Sequence, residues 1–273
     1  MVATNMMSVD LEDYFCDLPF SEWGNYESRV VKNTKLILEL FEKHHVTATF
    51  FTLGYIAEKH PELIEEIISK GHEISSHGYA HLDARNLNKL EFEQDFKKSL
   101  DILYSITHEK ILGFRAPFFS INKKNLWVFD ILKKNIKYDS SIFPVKTPLY
   151  GIPDAIGHTY KISENDPLSE SNSGDFFEIP PLALKFPFRN IPAAGGFYLR
   201  FLPVQLIELA INKINRNNFP AMCYIHPKDL DPGMPKLPQY AWHYYWGLSN
   251  ASSKFESLLK KFKFNSVREV LQI

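Results

Sequence analysis

The run "TATFFTLGYIAEKHPELIEEIISKGHEISSHGYAH", Thr47 to His81, decides the fold. Its first part, "TATFFTL" (Thr47 to Leu53), is rich in β-branched and aromatic residues and reads as a buried strand. Pro61 suits the first turn of a helix running to Ser69, and Gly71 stops it. "EISS" follows as the next strand. Strand, helix, strand at this pace implies a parallel sheet with helical crossovers. The run ends on "HGYAH", with His77 and His81 four residues apart. One helical turn brings two such side chains to one side, and so does a loop closing on itself. Imidazole is a common zinc ligand, and a carboxylate often completes a two-histidine set. A lone pair at this spacing also arises by chance.

The alternation continues on both sides. Upstream, "MMSV" (Met6 to Val9) reads as a first strand ending at Asp10. Val30, Thr34, Ile37, Leu38 and Phe41 then fall near helical spacing. Downstream, Asn88 and Glu91 form a capping-box pair before a helix Lys89 to Thr107. "ILGF" is another strand, ending at Arg115, and a helix Lys123 to Lys134 comes next. In such sheets chemistry collects at the C-terminal strand ends, where Asp10, His77 and Arg115 all fall. The second half differs. Most of the 17 prolines lie after residue 143, and the segment at about 142–200 is loop-rich and aromatic. It reads as an insertion elaborating one α/β domain that spans 1–273. Regular structure returns with "FFEIP", a helix Pro203 to Arg216, a strand Ala221 to Ile225 and a last helix capped by Ser253 and Glu256.

Composition excludes several classes. Lys+Arg total 31 against 32 Asp+Glu, a net charge of −1, so nothing favours nucleic acid as a partner. No stretch approaches the ~18 apolar residues of a membrane span. "MVATNMMSVD" lacks a basic region followed by a long apolar one, so the cytoplasm is the simplest compartment. Cys16 and Cys223 cannot form a disulfide framework or a zinc ribbon and read as reduced, buried hydrophobes. His72 reads as a turn residue bonded to backbone.

Four clusters could carry chemistry. Asp10, Glu12 and Asp13 crowd the end of the first strand, where a cation or an arginine would relieve their repulsion; a solvated turn would do so too. His77 and His81 are the second cluster. Arg115 can hold a carboxylate through two hydrogen bonds, or form a surface salt bridge. His226, ending the strand Ala221 to Ile225, is either a satisfied core histidine or a general acid/base. Together they place a carboxylate cluster, a histidine pair, an arginine and a further histidine at successive strand ends. Trp242, Tyr244, Tyr245 and Trp246 in "AWHYYWG" either stack on sugar rings or serve packing or an interface; we favour the latter, which leaves a homo-oligomer open. Gly195 and Gly196 permit close backbone approach to a substrate.

The ordered set "SVDLEDYF", the Thr47–His81 run, "GFRAPFFS", "YDSSIFP", "IPAAGGFYLRFLP" and "YIHPKDLDP" resembles the polysaccharide deacetylases of carbohydrate esterase family 4, which share the NodB-homology domain. It is more closely similar to the exosortase-linked branch associated with exopolysaccharide gene clusters. The resemblance runs from about Met7 to about Glu269. It implies a distorted (β/α)7 barrel and metal-dependent removal of N-acetyl groups from an N-acetylated glycan. It matches His77 and His81 to metal ligands, Asp10 to the catalytic base, Arg115 to the base's partner and His226 to the catalytic acid. It implies a divalent metal, most simply zinc, with cobalt or nickel as alternatives. Pro117, in "GFRAPFFS", joins Gly195 and Gly196 as expected substrate-side residues. One departure matters. Most of the family has two adjacent aspartates, the second on the metal, whereas here the pattern is Asp10-Leu11-Glu12-Asp13. An Asp-x-Asp register makes Glu12 the ligand; a turn could present Asp13 instead. The family's aspartate followed by tryptophan is absent, with Asp139 in its region. Two rival functions remain: a cyclic-amide (allantoinase-like) hydrolase on the same site, and a non-catalytic glycan-binding barrel.

Overall fold

The structure is a computed structural model that describes residues 3–186 and 190–273. Residues 187–189, inside the expected insertion, lie outside the described part. In chain order the elements are β1 (Thr4–Leu11), α1 (Val30–His44), β2 (Thr49–Thr52), α2 (Gly54–Lys59), α3 (Pro61–Ser69), β3 (Glu73–Ser76), α4 (Lys89–Thr107), β4 (Gly113–Phe114), α5 (Phe129–Asn135) and β5 (Tyr138–Asp139). Then come β6 (Tyr160–Lys161), β7 (Phe177–Glu178), β8 (Ala183–Lys185), β9 (Asn190–Pro192), α6 (Gly196–Phe201), α7 (Val204–Asn215), β10 (Met222–Ile225), α8 (Leu248–Lys261), β11 (Lys263–Asn265) and α9 (Val267–Leu271).

The strands order as β10-β1-β2-β3-β4-β5-β7, all parallel, with β6 antiparallel at the far edge and β11 beside the start of β1. The sheet curls into a distorted (β/α) barrel. Coil rather than strand closes the ring. Leu182 N–H donates to Met222 O at 2.9 Å, and Gly195 N–H donates to Tyr224 O at 3.1 Å.

Strand alternation sorts the side chains. Met7, Val9 and Leu11 of β1 face outward into the main core beneath the helices. Met6 faces inward with Phe51, Tyr138, Ile179 and Met222. Ser8 and Asp10 share that inward face, so β1 delivers a carboxylate to the top of the barrel interior. At the bottom, Glu73 accepts from Thr49 Oγ1 (2.6 Å), the Tyr138 hydroxyl (2.9 Å) and Arg268 N–H (3.0 Å). Gly113 is required there, because a Cβ would lie 2.0 Å from the Tyr138 ring.

The expected capping box of α4 is present: Asn88 accepts from Leu90 N–H and Glu91 N–H, and Glu91 reaches back to Asn88 N–H. Two local expectations need correction. Ser253 and Glu256 do not cap the last long helix. The helix α8 begins at Leu248, after Gly247 in the left-handed region (φ 72°), because Leu248 and Ala251 bury against the core and extend it upstream. The working Ser-x-x-Glu box is Ser266 and Glu269, heading α9. The helix expected over 123–134 is a 3-10 turn at Leu126–Val128 followed by α5.

Candidate metal centre and cleft

His77 and His81 do not share a helix. They bracket a loop after β3 that turns at Gly78 (φ 76°), with His81 itself in the left-handed region (φ 53°). Asp95 of α4 holds this loop, accepting from Tyr79 N–H at 2.9 Å and Ala80 N–H at 3.2 Å. The rings end 5.3 Å apart. Each Nδ1 faces a backbone carbonyl: His77 to Arg115 O at 2.7 Å, His81 to Cys16 O at 2.9 Å. A carbonyl only accepts, so Nδ1 carries the proton and each neutral ring keeps its Nε2 lone pair for the interior.

Glu12 completes the cluster. The ligating atoms of Glu12, His77 and His81 lie within 4.8 Å of one another, and all three residues are buried. Glu12 Oε2 comes within 2.8 Å of His81 Nε2, yet it has no hydrogen-bond partner among the described residues. Its other oxygen is held by Lys228 Nζ at 2.7 Å, which also donates to Asp17 at 2.9 Å. Burial opposes the charge on Glu12, but Lys228, His81 and His226 outweigh it and hold the carboxyl well below its usual range. Burial pushes His77 down to about 4. Burial also opposes a charge on His81, but Glu12 outweighs it and raises that ring. An orphaned carboxylate oxygen facing two Nε2 atoms is a donor set that suits a divalent cation.

Asp13, the other acid that the sequence left open, faces away. It accepts from Ser28 Oγ (2.6 Å), Arg29 N–H (2.8 Å) and Val30 N–H (3.1 Å), closing the N-terminus of α1.

Asp10 is paired with Arg115 at 2.5 Å. Arg115 is wholly buried rather than a surface ion, lies over the Phe51 ring at 4.1 Å, and also donates to Ser8 Oγ and to Ser140. The free oxygen of Asp10 lies 3.8 Å from His226 Nε2. Asp229 Oδ2 lies 2.7 Å from His226 Nδ1 and also accepts from His226 N–H at 2.9 Å. Burial opposes a charge on His226, but Asp229 outweighs it and raises the ring's pKa. Burial likewise opposes the charge on Asp229, yet His226 and Arg200 bring it down to about 2. Asp139 lies deeper, accepting from Ser141 N–H and Oγ, and burial raises it to about 6.

Asp10, Glu12, His77, His81, His226 and Asp229 floor a cleft of about 570 Å³ with aromatic walls that include Phe118, Tyr150, Phe197, Tyr198 and Tyr244. Two models of known families match the chain: polysaccharide deacetylase over residues 23–133, and a domain of unknown function (DUF3473) over 140–272. These matches and the relatives below support a polysaccharide deacetylase of carbohydrate esterase family 4. The first match ends inside α5 and the second begins just after β5, so the two fall on one continuous sheet. The chain is 27% identical over 214 residues to a peptidoglycan deacetylase of Helicobacter pylori, covering 76% of this chain and 64% of that protein. The match therefore spans just under two thirds of the relative's length. A solved Mycobacterium smegmatis structure, provisionally assigned as a polysaccharide deacetylase, superposes with a TM-score of 0.65 at 16% identity, over 99% of this chain and 90% of that one. The Puue allantoinase gives a TM-score of 0.63 at 14% identity, over 98% and 88%. At such identities the two structures speak for the fold alone.

Three expected substrate-side residues are placed elsewhere. Pro117 is buried and does not line the cleft. Gly195 and Gly196 sit behind it. A Cβ on Gly195 would lie 2.4 Å from the Tyr224 hydroxyl, and one on Gly196 would lie 1.6 Å from Asp229 Oδ2. Their smallness lets Tyr224 and Asp229 approach rather than a ligand. Sequence reasoning missed Asp229, Lys228 and Arg200. Asp229 had a signal, since it follows His226 by three residues across Pro227.

Proposed function

We propose that the chain removes N-acetyl groups from the acetamido sugars of a bacterial polysaccharide or its lipid-linked precursor, with a divalent metal held by His77, His81 and Glu12. The observation that carries this reading is the orphaned, buried Glu12 Oε2 facing the two histidine Nε2 atoms, beside an Arg115-held Asp10. Zinc is the simplest ion for two imidazoles and a carboxylate, with cobalt or nickel as alternatives. When bound, it would supply the Lewis acidity that polarises an amide carbonyl and acidifies water.

The chain's own residues supply the proton transfers. Asp10, fixed through one oxygen by Arg115, takes a proton from the attacking water with the other. The amide C–N bond then breaks, and the departing amine needs a proton. His226 carries one on Nε2, favoured by Asp229 on Nδ1. Acetate and a free amino sugar result. We assign Lys228 to holding Glu12, so that a single oxygen is left for the metal.

The motif order along both halves supports the exopolysaccharide branch, and the continuous sheet supports one catalytic domain. Two buried, free cysteines fit a reducing cytoplasm, and no described helix is long and apolar enough to cross a membrane. A cleft of about 570 Å³ suits a pyranose with neighbours better than a small cyclic amide. The test is acetate release from the hexamer of N-acetylglucosamine by zinc-loaded protein. Acetate that depends on added metal supports the reading. Hydrolysis of allantoin without acetate release would move the chain to the cyclic-amide class, and turnover of neither would favour a binding barrel.

A further inference from the structure

We propose that the exposed aromatic rim formed by Phe197, Phe201, Trp242 and Trp246 is a second carbohydrate-binding surface, where further sugars of the same glycan chain stack. The inference rests on the glycan reading above and extends it from one acetamido residue to an extended chain.

Trp242, Trp246 and Phe201 are 63%, 55% and 51% exposed, a concentration of rings that a solvated surface does not favour. They form one patch. Phe201 stacks on Phe197 with centroids 5.4 Å apart, Phe197 meets His243 edge-on at 6.0 Å, His243 meets Trp242 at 5.9 Å, and Trp242 meets Trp246 at 5.8 Å. The patch is continuous with the cleft, because Phe197 and His243 line both. A glycan leaving the cleft on this side runs onto the rings, and pyranose faces present the C–H surfaces that aromatic rings pack against.

The rim is also anchored. Arg200, 8% exposed, donates from Nη1 to the carbonyls of His243 (3.0 Å), Tyr244 (3.2 Å) and Trp246 (2.7 Å), and from Nε to Asp229 at 3.2 Å. The rim's backbone is thus tied to the carboxylate that holds His226. Because Arg200 is directed inward, the patch offers rings rather than charge, which fits a neutral sugar chain better than an anionic membrane surface.

The test is calorimetric titration with the hexamer and the monomer of N-acetylglucosamine, using metal-loaded protein that carries Asp10→Asn to suppress turnover, alone and combined with the rim substitutions. We expect the hexamer to bind at least tenfold tighter. W242A/W246A should lose about tenfold in hexamer affinity, leave monomer binding unchanged and keep its metal. W242F/W246F, which keeps flat rings, should retain most of the affinity. Equal binding of hexamer and monomer, or an unchanged hexamer affinity in W242A/W246A, would overturn the proposal. So would a change in oligomeric state in that variant without a change in sugar binding, which would make the rim an interface between copies. Binding is read without turnover, so rim-dependent hexamer binding together with no acetate release by the metal-loaded wild type would contradict the deacetylase reading alone.

Discussion

At the bottom of the barrel Glu73 is buried, accepts three hydrogen bonds, and has no orphaned oxygen. At the top Glu12 is equally buried, yet one of its oxygens has no hydrogen-bond partner among the described residues. The lower cluster is complete within the chain, with donors from β2, β5 and α9. The upper cluster is incomplete, and its open positions point to one spot. Burying an unsatisfied carboxylate oxygen costs free energy. Among the described residues Glu178 Oε2 is also unsatisfied, but only Glu12 joins two histidine nitrogens in a ligand cluster, on the face where barrels of this class carry out their chemistry. The contrast teaches that burial alone does not mark a site, whereas burial with an unmet bond beside converging lone pairs does.

The comparison can be broken at several points. The largest expected effect is on rate. Asp10→Asn should lower acetate release by about 10²–10⁴-fold while keeping its metal, since Asp10 lies outside the metal cluster. A variant with full activity and bound metal would remove Asp10 from the proposed proton transfer. The next effect is on stability. Glu73→Ala removes the acceptor of Thr49 Oγ1 and Arg268 N–H and leaves the Tyr138 hydroxyl only Ser75 Oγ, and should cost about 2–3 kcal/mol in denaturant unfolding with metal affinity unchanged. Loss of metal binding in that variant would show that the two ends are not independent. The smallest effect is a pH slope. His72 accepts from Ala48 N–H at 3.2 Å, and burial pushes its pKa down to about 4. Its folded value lies below its unfolded one, so the unfolded chain takes up the proton first as pH falls. The resulting stability is present above about pH 6.5 and is lost progressively as pH falls toward 4. His72→Gln should flatten that part of the stability–pH curve; an unchanged slope would show that other groups set it.

How much of this was legible depended on how local each arrangement is. The strand–helix run from Thr47 to Ser76 lies close to where periodicity, Pro61 and Gly71 put it, because those signals act over a few residues. Asp10, His77, Arg115 and His226 could be placed at strand ends for the same reason. The choice between Glu12 and Asp13 could not be made, since it depends on where α1 docks and hence on which acid its first N–H groups take. Arg200 was beyond reach, because its partners come from the turn at Pro227–Leu230 and from the segment 243–246, which only tertiary packing brings together. The two glycines at 195 and 196 were singled out for the right property, close approach, but what approaches is the protein's own Tyr224 and Asp229.

The most direct test of the central claim is the metal content of purified protein, measured by elemental analysis for wild type and for His77→Ala/His81→Ala. The account predicts about one divalent ion per chain in the wild type and none in the double variant, with the variant still folded because the pair serves the ion rather than the core. Wild-type protein that takes up no zinc, cobalt or nickel, or a double variant that keeps its ion, would contradict it.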